Sequence, residues 1–329
     1  MSITYVRKTN DDKIIGVADR LAGRLQQALI DAVGVASGSI SLQELTKAIE
    51  AGNTNAILDI ITGSLSRALA GQGLAAGKAS LQDAAQMIFS SAAKTAVGEM
   101  PASISTALSM NLMNQNAVSF LDKYTFDTIR GITNDTRGAL TQVLTRAFSE
   151  GGSPEEIARE MRQMIGLTAA QDTAIANYRR ALESGTSSGL KDALARSLRD
   201  GRYDRSLLRA IQTGQGMSAD KIDKLTERYR ARYLQYRANA IARTESIRVA
   251  NAGQMEAWRQ AREQGLLDGA EREWQAAGDD RDCEVCDGLD GEVVGFDEPF
   301  STGVMHPPQH THCRCGVKLK IPKKERAAA

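Results

Sequence analysis

The 329-residue sequence predicts a mainly α-helical protein that ends in a small α+β domain. Aromatic residues make up only 5% of the chain while Ala and Leu are plentiful, which favours helices over a β-sandwich or barrel. Apolar residues recur at three- and four-residue spacing over most of the chain. After Gly269 this pattern changes to short segments, which predict strands at 272–276, 292–295 and 316–321.

Composition excludes several classes of protein. Hydrophobic residues make up 42%, enough for a packed core, and the formal net charge of +1 gives no global argument for a nucleic-acid or anionic-membrane partner. No apolar run approaches the ~20 residues that a membrane-spanning helix needs. Residues 1–11 lack the apolar core of a signal peptide. We therefore expect a soluble protein with no membrane contact, made in a reducing cytoplasm.

Residues 1–111 are predicted to form an N-terminal helical region that acts as a docking or oligomerisation arm. Its first helix is expected over residues 13–35, where Gly34 and Gly38 mark the end. A Gly- and Ala-rich stretch at 70–78 resembles a linker. The other predicted helices of this region cover residues 42–51, 54–69 and 80–97.

Residues 112–217 are predicted to form a helical bundle. One apolar series ends near Ile132, and a second helix is expected over 133–151. The segment 184–202 has glycine breaks and a mixed pattern. Two shorter helices, at 154–165 and 168–184, are predicted between the helix at 133–151 and this mixed segment.

Three helix starts carry recognisable caps. Ser41 and Glu44 have the spacing of a capping box, in which each side chain bonds the other residue's backbone N–H. Ser153 is followed by Pro154 and two acids, all of which favour a helix start. Thr168 is predicted to start the next helix.

Residues 218–322 are predicted to combine a long helix, at about 218–265, with the short strands, and 323–329 form a polar tail. From Lys221 to Glu263 the helix contains ten Lys or Arg and five Asp or Glu. This excess of about five positive charges suits DNA phosphates, an acidic protein partner or a solvated helix face.

All the cysteines and histidines of the chain lie close together. The four cysteines and three histidines all lie between Cys283 and Cys315, and the first 282 residues contain neither type. A reducing compartment disfavours disulfides. The cluster therefore predicts a metal site.

The spacing of these residues is typical of a structural zinc site. Cys283 and Cys286 form a C-x-x-C knuckle that can direct two thiolates at one ion. About 23 residues later, His310 and Cys313 complete a tetrahedral set, and this is the preferred choice. Cys315 or His312 is the alternative fourth ligand. The fold class is accordingly mainly α with a small C-terminal α+β zinc-binding domain.

Other interpretations of the cluster remain open. A redox disulfide would need a βα context, whereas the residues before Cys283 resemble a loop. A catalytic zinc would need an open position and a base, for which Glu284 or Asp287 is available. A metal-dependent nuclease of the HNH class could use His306 or His312, although the expected ββα spacing of His and Asn is missing. We expect no enzyme activity, no catalytic residues and no organic cofactor.

Four further residues in this region are given structural roles. Arg243 and Glu245 are two positions apart on the long helix and do not share a face, so a packing or salt-bridge role is expected for each. Trp258 and Trp274 flank the change from helix to strands and are predicted core anchors.

Two sets of motifs within residues 112–321 carry a resemblance to a known family. The motifs that carry the resemblance in the C-terminal part are Ala242-Arg-Thr-Glu245, Asn251-Ala-Gly253, Trp274, Asp279-Asp-Arg-Asp-Cys283-x-x-Cys286, Leu289-Asp-Gly291 and Pro307-Pro-x-His310-x-x-Cys313-Arg-Cys315. In the helical part they are Phe120-Leu-Asp-Lys-Tyr-Thr125, Ile132-Thr-Asn-Asp-Thr-Arg137 and Glu150-Gly-Gly-Ser-Pro-Glu-Glu-Ile-Ala158. Their combination in this order is specific and resembles the phage Mu F-type head morphogenesis proteins. Residues 1–111 carry no such motif.

The resemblance implies a structural minor capsid protein of a tailed phage. Such proteins act in head morphogenesis at or near the portal and influence DNA packaging or ejection. The implied partners are the portal protein and the major capsid or scaffolding protein, with a homo-oligomer in the particle and DNA contact through the basic helix as further expectations. The implied location is the virion, in the head interior or portal region. The alternative function is a zinc-dependent nuclease or a DNA-binding protein packaged in the head.

Overall fold

The structure, a computed structural model, describes residues 13–150, 152–279 and 282–321. The helices within these residues are α1 (Lys13–Ser39), α2 (Leu42–Glu50), α3 (Thr54–Leu69), α4 (Leu81–Glu99), α5 (Ala102–Ser105), α6 (Gln115–Glu150), α7 (Pro154–Gln163), α8 (Ala169–Glu183), α9 (Ser187–Ala195), α10 (Asp204–Thr213), α11 (Ala219–Glu263) and α12 (Glu284–Leu289). A 3₁₀ turn covers Gly201–Tyr203, and the strands are β1 (Glu271–Gln275), β2 (Val293–Gly295) and β3 (Gly316–Lys320). The mainly helical fold with a small C-terminal sheet is confirmed, and the predicted tail at 323–329 lies outside the described residues.

Two predicted helix boundaries are wrong. The first helix does not stop at Val35 but passes through Gly34 and Gly38, because neither glycine adopts a left-handed backbone and the helix continues to Ser39. The two helices expected to meet near Ile132 are one continuous helix, α6. There the hydroxyl of Thr133 donates to the Ile129 carbonyl within the helix, so a polar residue that often ends helices is accommodated.

The predicted helix starts are present. Ser153 and Thr168 both form complete capping boxes, with Glu156 and Gln171 as the partners that bond back to the cap. At Ser41 only half of the predicted box is described: the side chain accepts from the Glu44 N–H at 3.3 Å. Each cap satisfies a backbone donor that the first turn of the helix leaves unpaired.

The described residues form two compact units. Unit 1 contains residues 13–27, 81–125 and the described part of 239–321, and unit 2 contains residues 28–80 and 126–238. Because α1, α6 and α11 each contribute to both units, this division does not follow the sequential regions 1–111, 112–217 and 218–322. The roles predicted for those regions stay predictions.

The sheet has the strand order β2-β1-β3, with antiparallel neighbours. Trp274 on β1 is fully buried and packs edge-to-face on Phe300, with ring centroids 5.0 Å apart. Trp258 on α11 is also buried, so both tryptophans are core residues as predicted. The sheet therefore has a small aromatic core of its own.

In unit 1, α11 packs very closely against α4. A Cβ atom placed on Gly253 would lie only 2.3 Å from the backbone oxygen of Phe89, so only glycine fits there. This explains one position of the Asn251-Ala-Gly253 motif. Within the described residues, no helix is both long and apolar enough to span a membrane.

Candidate metal centre

The first half of the candidate metal centre is built on the short helix α12. Cys283 is the N-cap of this helix, and its sulfur accepts a hydrogen bond from the backbone N–H of Cys286 at 3.5 Å. Cys286 lies in the first turn and is buried. The cap therefore holds both sulfurs on one side of a tight turn, as a C-x-x-C metal knuckle requires.

The second half is the segment that leads into β3. The Cys313 N–H donates to the His310 carbonyl at 3.2 Å, in a turn that precedes the strand. His310 Nδ1 lies 2.8 Å from the carbonyl oxygen of Thr311, which can only accept, so Nδ1 carries the proton. Nε2 is then left as a free electron-pair donor, in the orientation typical of metal-binding histidines.

Five of the six predicted donors meet in two groups of three that share Cys286. Cys283, Cys286 and His310 form one group, and Cys286, Cys313 and Cys315 form the other; within each group the ligand atoms lie within 4.8 Å of one another. His310 Nε2 lies 3.2 Å from Cys283 Sγ and 3.1 Å from Cys286 Sγ. Cys286 is therefore a candidate ligand in both groups.

The geometry and the donor types fit a metal of borderline softness. The sulfurs of Cys286 and Cys313 are 3.9 Å apart. Two thiolates bound about 2.3 Å from one tetrahedral zinc ion would be about 3.8 Å apart. Neither group of donors in the described residues contains a carboxylate. Thiolate and imidazole donors suit zinc, whereas magnesium and calcium prefer oxygen.

The pKa values of two neighbouring thiols in the centre are shifted in opposite directions. Burial raises the pKa of the Cys286 thiol to about 12. In contrast, a hydrogen bond from the Cys315 side chain is the main cause that lowers the pKa of Cys313 to about 5. A cation between the sulfurs would stabilise every thiolate it contacts, so metal binding should release protons from thiols such as Cys286.

Arg314 joins the two halves of the centre. Its guanidinium bonds both carboxylate oxygens of Asp279, at 2.6 Å for the Nη2–Oδ1 pair, and lies 3.5 Å from Asp282. Asp282 in turn accepts from the backbone N–H of Gly278 at 2.5 Å. The residue between Cys313 and Cys315 is thus paired with the acidic segment before Cys283, a role that the sequence analysis did not assign. The complementary charges beside the two cysteine motifs were the available signal.

Thr244 connects the centre to the long helix. Its hydroxyl donates to the Ala240 carbonyl at 2.9 Å and accepts from the backbone N–H of His312 at 3.0 Å. Its neighbour Glu245 forms the expected salt bridge, with Arg248 at 3.0 Å. The contact of Thr244 was missed, because a hydroxyl that bonds a distant backbone amide leaves no pattern in the sequence.

Two of the three histidines lie outside both donor groups. His312 has a left-handed backbone (φ 63°), and its N–H is bonded to Thr244. The Nδ1 of His306 donates to the Pro307 carbonyl at 2.7 Å, and burial lowers the pKa of this imidazole. The structure therefore brings His310 to the cysteines but neither of the other histidines.

Arg272 supports the loop that carries the second ligand group. Its side chain is fully buried in β1, and its guanidinium donates to the backbone carbonyls of Met305, Gly295 and Glu298. The guanidinium also lies over the ring of Phe300, 5.3 Å from the centroid. The two terminal nitrogens of this buried cation thus tie together three backbone carbonyls between residues 295 and 305, a role that was not predicted from the sequence.

The comparisons with known proteins find one family that is similar to this region. Residues 191–318 match the family described as Phage Mu protein F like protein. No curated protein matches the chain, and no solved structure matches it. The matched segment contains all of α11, the strands β1 and β2, the first three residues of β3, and the Cys/His centre. Residues 191–318 of the chain are therefore similar to the Phage Mu protein F like family.

Proposed function

We propose that the chain is a structural minor head protein of a tailed phage that acts in head morphogenesis at or near the portal. The observation that carries the proposal is the family match over residues 191–318, which indicates a phage-head-related protein. The proposed partners are the portal protein and the major capsid or scaffolding protein, with a homo-oligomer in the particle. The protein would be made in the bacterial cytoplasm and then become part of the virion, where it would influence DNA packaging or ejection.

We further propose that the Cys/His centre binds one structural Zn²⁺. Cys283, Cys286, His310 and Cys313 are the preferred ligands, with Cys315 as the alternative fourth ligand. Three of the four thiols are buried, and Arg314 and Thr244 hold the surrounding segments by contacts to other parts of the chain. A closed set of four protein ligands supports folding and leaves no position for a substrate.

A zinc-dependent nuclease is the competing function. It would need His306 or His312 to take part in metal or substrate chemistry, and both lie outside the two donor groups. The proposed structural site predicts that changing His306 to Gln leaves zinc content unchanged and that no metal-dependent DNA cleavage is observed. Cleavage by the wild-type protein that is lost in this variant, with zinc retained, would favour the nuclease.

The proposed head function is tested in the particle. A strain that carries the gene is induced, heads are purified, and the chain is measured by quantitative mass spectrometry beside the major capsid protein. We expect a few copies per head and, after deletion of the gene, fewer DNA-filled heads that complementation restores. Purified heads that lack the chain, together with normal head yield after deletion, would contradict the proposal.

A further inference from the structure

The positive charge of the chain is concentrated in one segment of unit 2. Residues 196–232 contain ten Lys or Arg and five Asp or Glu, a net charge of +5. The whole chain has 41 and 40, so the remainder has 31 basic and 35 acidic residues, a net charge of −4. The balanced total therefore hides a basic segment in an otherwise slightly acidic protein, and segments of this kind attract polyanions.

Ion pairs show which of the basic residues are available. In the part of α11 from residue 237 onward, Arg248 and Arg259 bond glutamates of the same helix, Arg237 bonds Asp135 at 2.7 Å, and Arg262 bonds Asp297. These pairs neutralise much of the charge that the sequence analysis assigned to the whole helix from Lys221 to Glu263. The available charge lies at the other end of α11 and on the elements before it.

A concave surface near the start of α11 brings several of these cations together. A cavity of about 800 Å³ is lined by the 3₁₀ turn, by α10 and by one residue of α11, and its basic lining residues are Arg202, Arg205, Arg209 and Lys221. Of these, Arg205, Arg209 and Lys221 form no ion pair with any described residue. The lining carboxylate of Asp204 is bound to Arg199, at 2.9 Å. We call these four basic residues the basic cavity.

A buried carboxylate holds further arginines close to this cavity. Asp200 is only 3% exposed and binds Arg202 at 2.6 Å, Arg228 at 3.4 Å and Arg232 at 3.5 Å. Three cations on one anion leave a local excess of two positive charges. Because the carboxylate is anchored at the N-cap of the 3₁₀ turn, it fixes Arg202 at the edge of the cavity.

We propose that the basic cavity binds the phosphate backbone of double-stranded DNA. Arg205 and Arg209 lie one turn apart on α10, about 6 Å along its axis, and Arg202 precedes them on the 3₁₀ turn at the edge of the same cavity. Guanidinium groups bond phosphate oxygens in a fork, and a duplex strand presents a phosphate every 3.4 Å along its axis.

The surface favours DNA over an acidic protein partner. A protein interface normally has an apolar centre, whereas Leu208 is the one large apolar side chain that lines the cavity. DNA would then be a further partner of the proposed head protein. DNA binding by the basic cavity does not depend on the proposed head function. DNA binding is measured on purified protein, so its failure would leave incorporation into heads unaffected.

The test compares the full chain with a triple variant, Arg205→Gln, Arg209→Gln and Lys221→Gln, by fluorescence anisotropy with a labelled 30-base-pair duplex over a salt series. These residues have no ion-pair partner in the described chain, so the fold should be unaffected, which circular dichroism checks. The slope of log affinity against log salt should fall by about 0.9 for each cation removed, or roughly 2.7 in total. A Lys variant, Arg205→Lys with Arg209→Lys, should keep the slope.

A matched control removes the same charge from unit 1, through Arg20→Gln, Arg24→Gln and Lys94→Gln. These positions are exposed and form no ion pair with any described residue. The control should retain the wild-type slope. The proposal is overturned if the cavity variant keeps the wild-type slope, if the control loses as much, or if polyglutamate of equal charge binds as tightly as the duplex, which would indicate an acidic protein partner.

Discussion

A single hydroxyl links the long helix to the metal-binding segment. Replacing Thr244 with Val keeps the shape of the side chain but leaves the His312 N–H without its acceptor. We expect unit 1 to lose about 1 kcal/mol of unfolding free energy, because a partly buried donor would lose its hydrogen bond. Chemical denaturation of Thr244→Val should show this loss, whereas Thr244→Ser, which keeps the oxygen, should stay close to the wild type. Equal stability of both variants would contradict the role of the hydroxyl.

The candidate ligands could be predicted from the sequence, but the residues that support them could not. Cysteine and histidine occur only in one short stretch, so their chemistry and spacing were sufficient to predict a metal site. In contrast, Thr244 and Arg272 act by bonding backbone groups 68 and 33 residues away. Because any residue can supply a backbone amide or carbonyl, the residue type does not indicate which residue will be the partner. These contacts can therefore be identified only in the folded structure.

At the scale of elements, close contact between α4 and α11 depends on one glycine. Gly253→Ala would place a methyl group 2.3 Å from the Phe89 oxygen, so the two helix backbones must move apart. We expect a loss of about 2 kcal/mol or more, beyond what the better helix propensity of Ala returns. Thermal unfolding measures the effect. The control is Gly23→Ala in α1, where nothing lies within 4 Å and a gain of roughly 0.5–1 kcal/mol is expected. Similar melting temperatures would show that the helices tolerate the methyl group.

The 3₁₀ turn before α10 depends on the ionised form of Asp200. Hydrogen bonds from Arg202 are the main cause that holds the pKa of Asp200 well below its usual range. The folded-state pKa is depressed, so this stabilisation is present above the unfolded pKa of about 3.9 and is lost as pH falls below it. We expect Asp200→Asn to cost roughly 2 kcal/mol at pH 7, less than a fully buried pair because the arginines are partly exposed.

Melting curves of the wild type and Asp200→Asn from pH 7 to pH 2.5 check this prediction. The difference between them should be constant down to about pH 5 and should then shrink as the wild type loses the ionised carboxylate. A difference that stays constant to the lowest pH would show that shape, and not charge, holds the turn.

The helices were largely predictable because their signals are local. Ser153 and Thr168 form the capping boxes that their sequence predicts, and the apolar spacing located α3 and α11 within a few residues. The errors at Gly34 and Ile132 have a common cause. Glycine and threonine weaken a helix only slightly, so a long helix with buried neighbours on both sides continues through them.

At the scale of the whole molecule, the two compact units are built from segments that are not consecutive in the sequence. Unit 1 combines three separate segments and unit 2 combines two, because three helices each contribute residues to both. Sequence signals such as linkers and glycine breaks report local interruptions only. The Gly- and Ala-rich stretch at 70–78 is an example, since it separates two helices but lies inside unit 2 near its boundary.

The central claim is that the Cys/His centre binds zinc and that the metal supports the C-terminal fold. The direct measurement is the metal content of the purified full chain, combined with hydrogen exchange before and after chelation. We predict about one zinc per chain and, on chelation, loss of protection within residues 271–321 while α6 to α10 stay protected, because a small domain with a limited core depends on its metal. A chain that holds no metal, or one whose protection at 271–321 is unchanged after complete removal of the zinc, would contradict the claim.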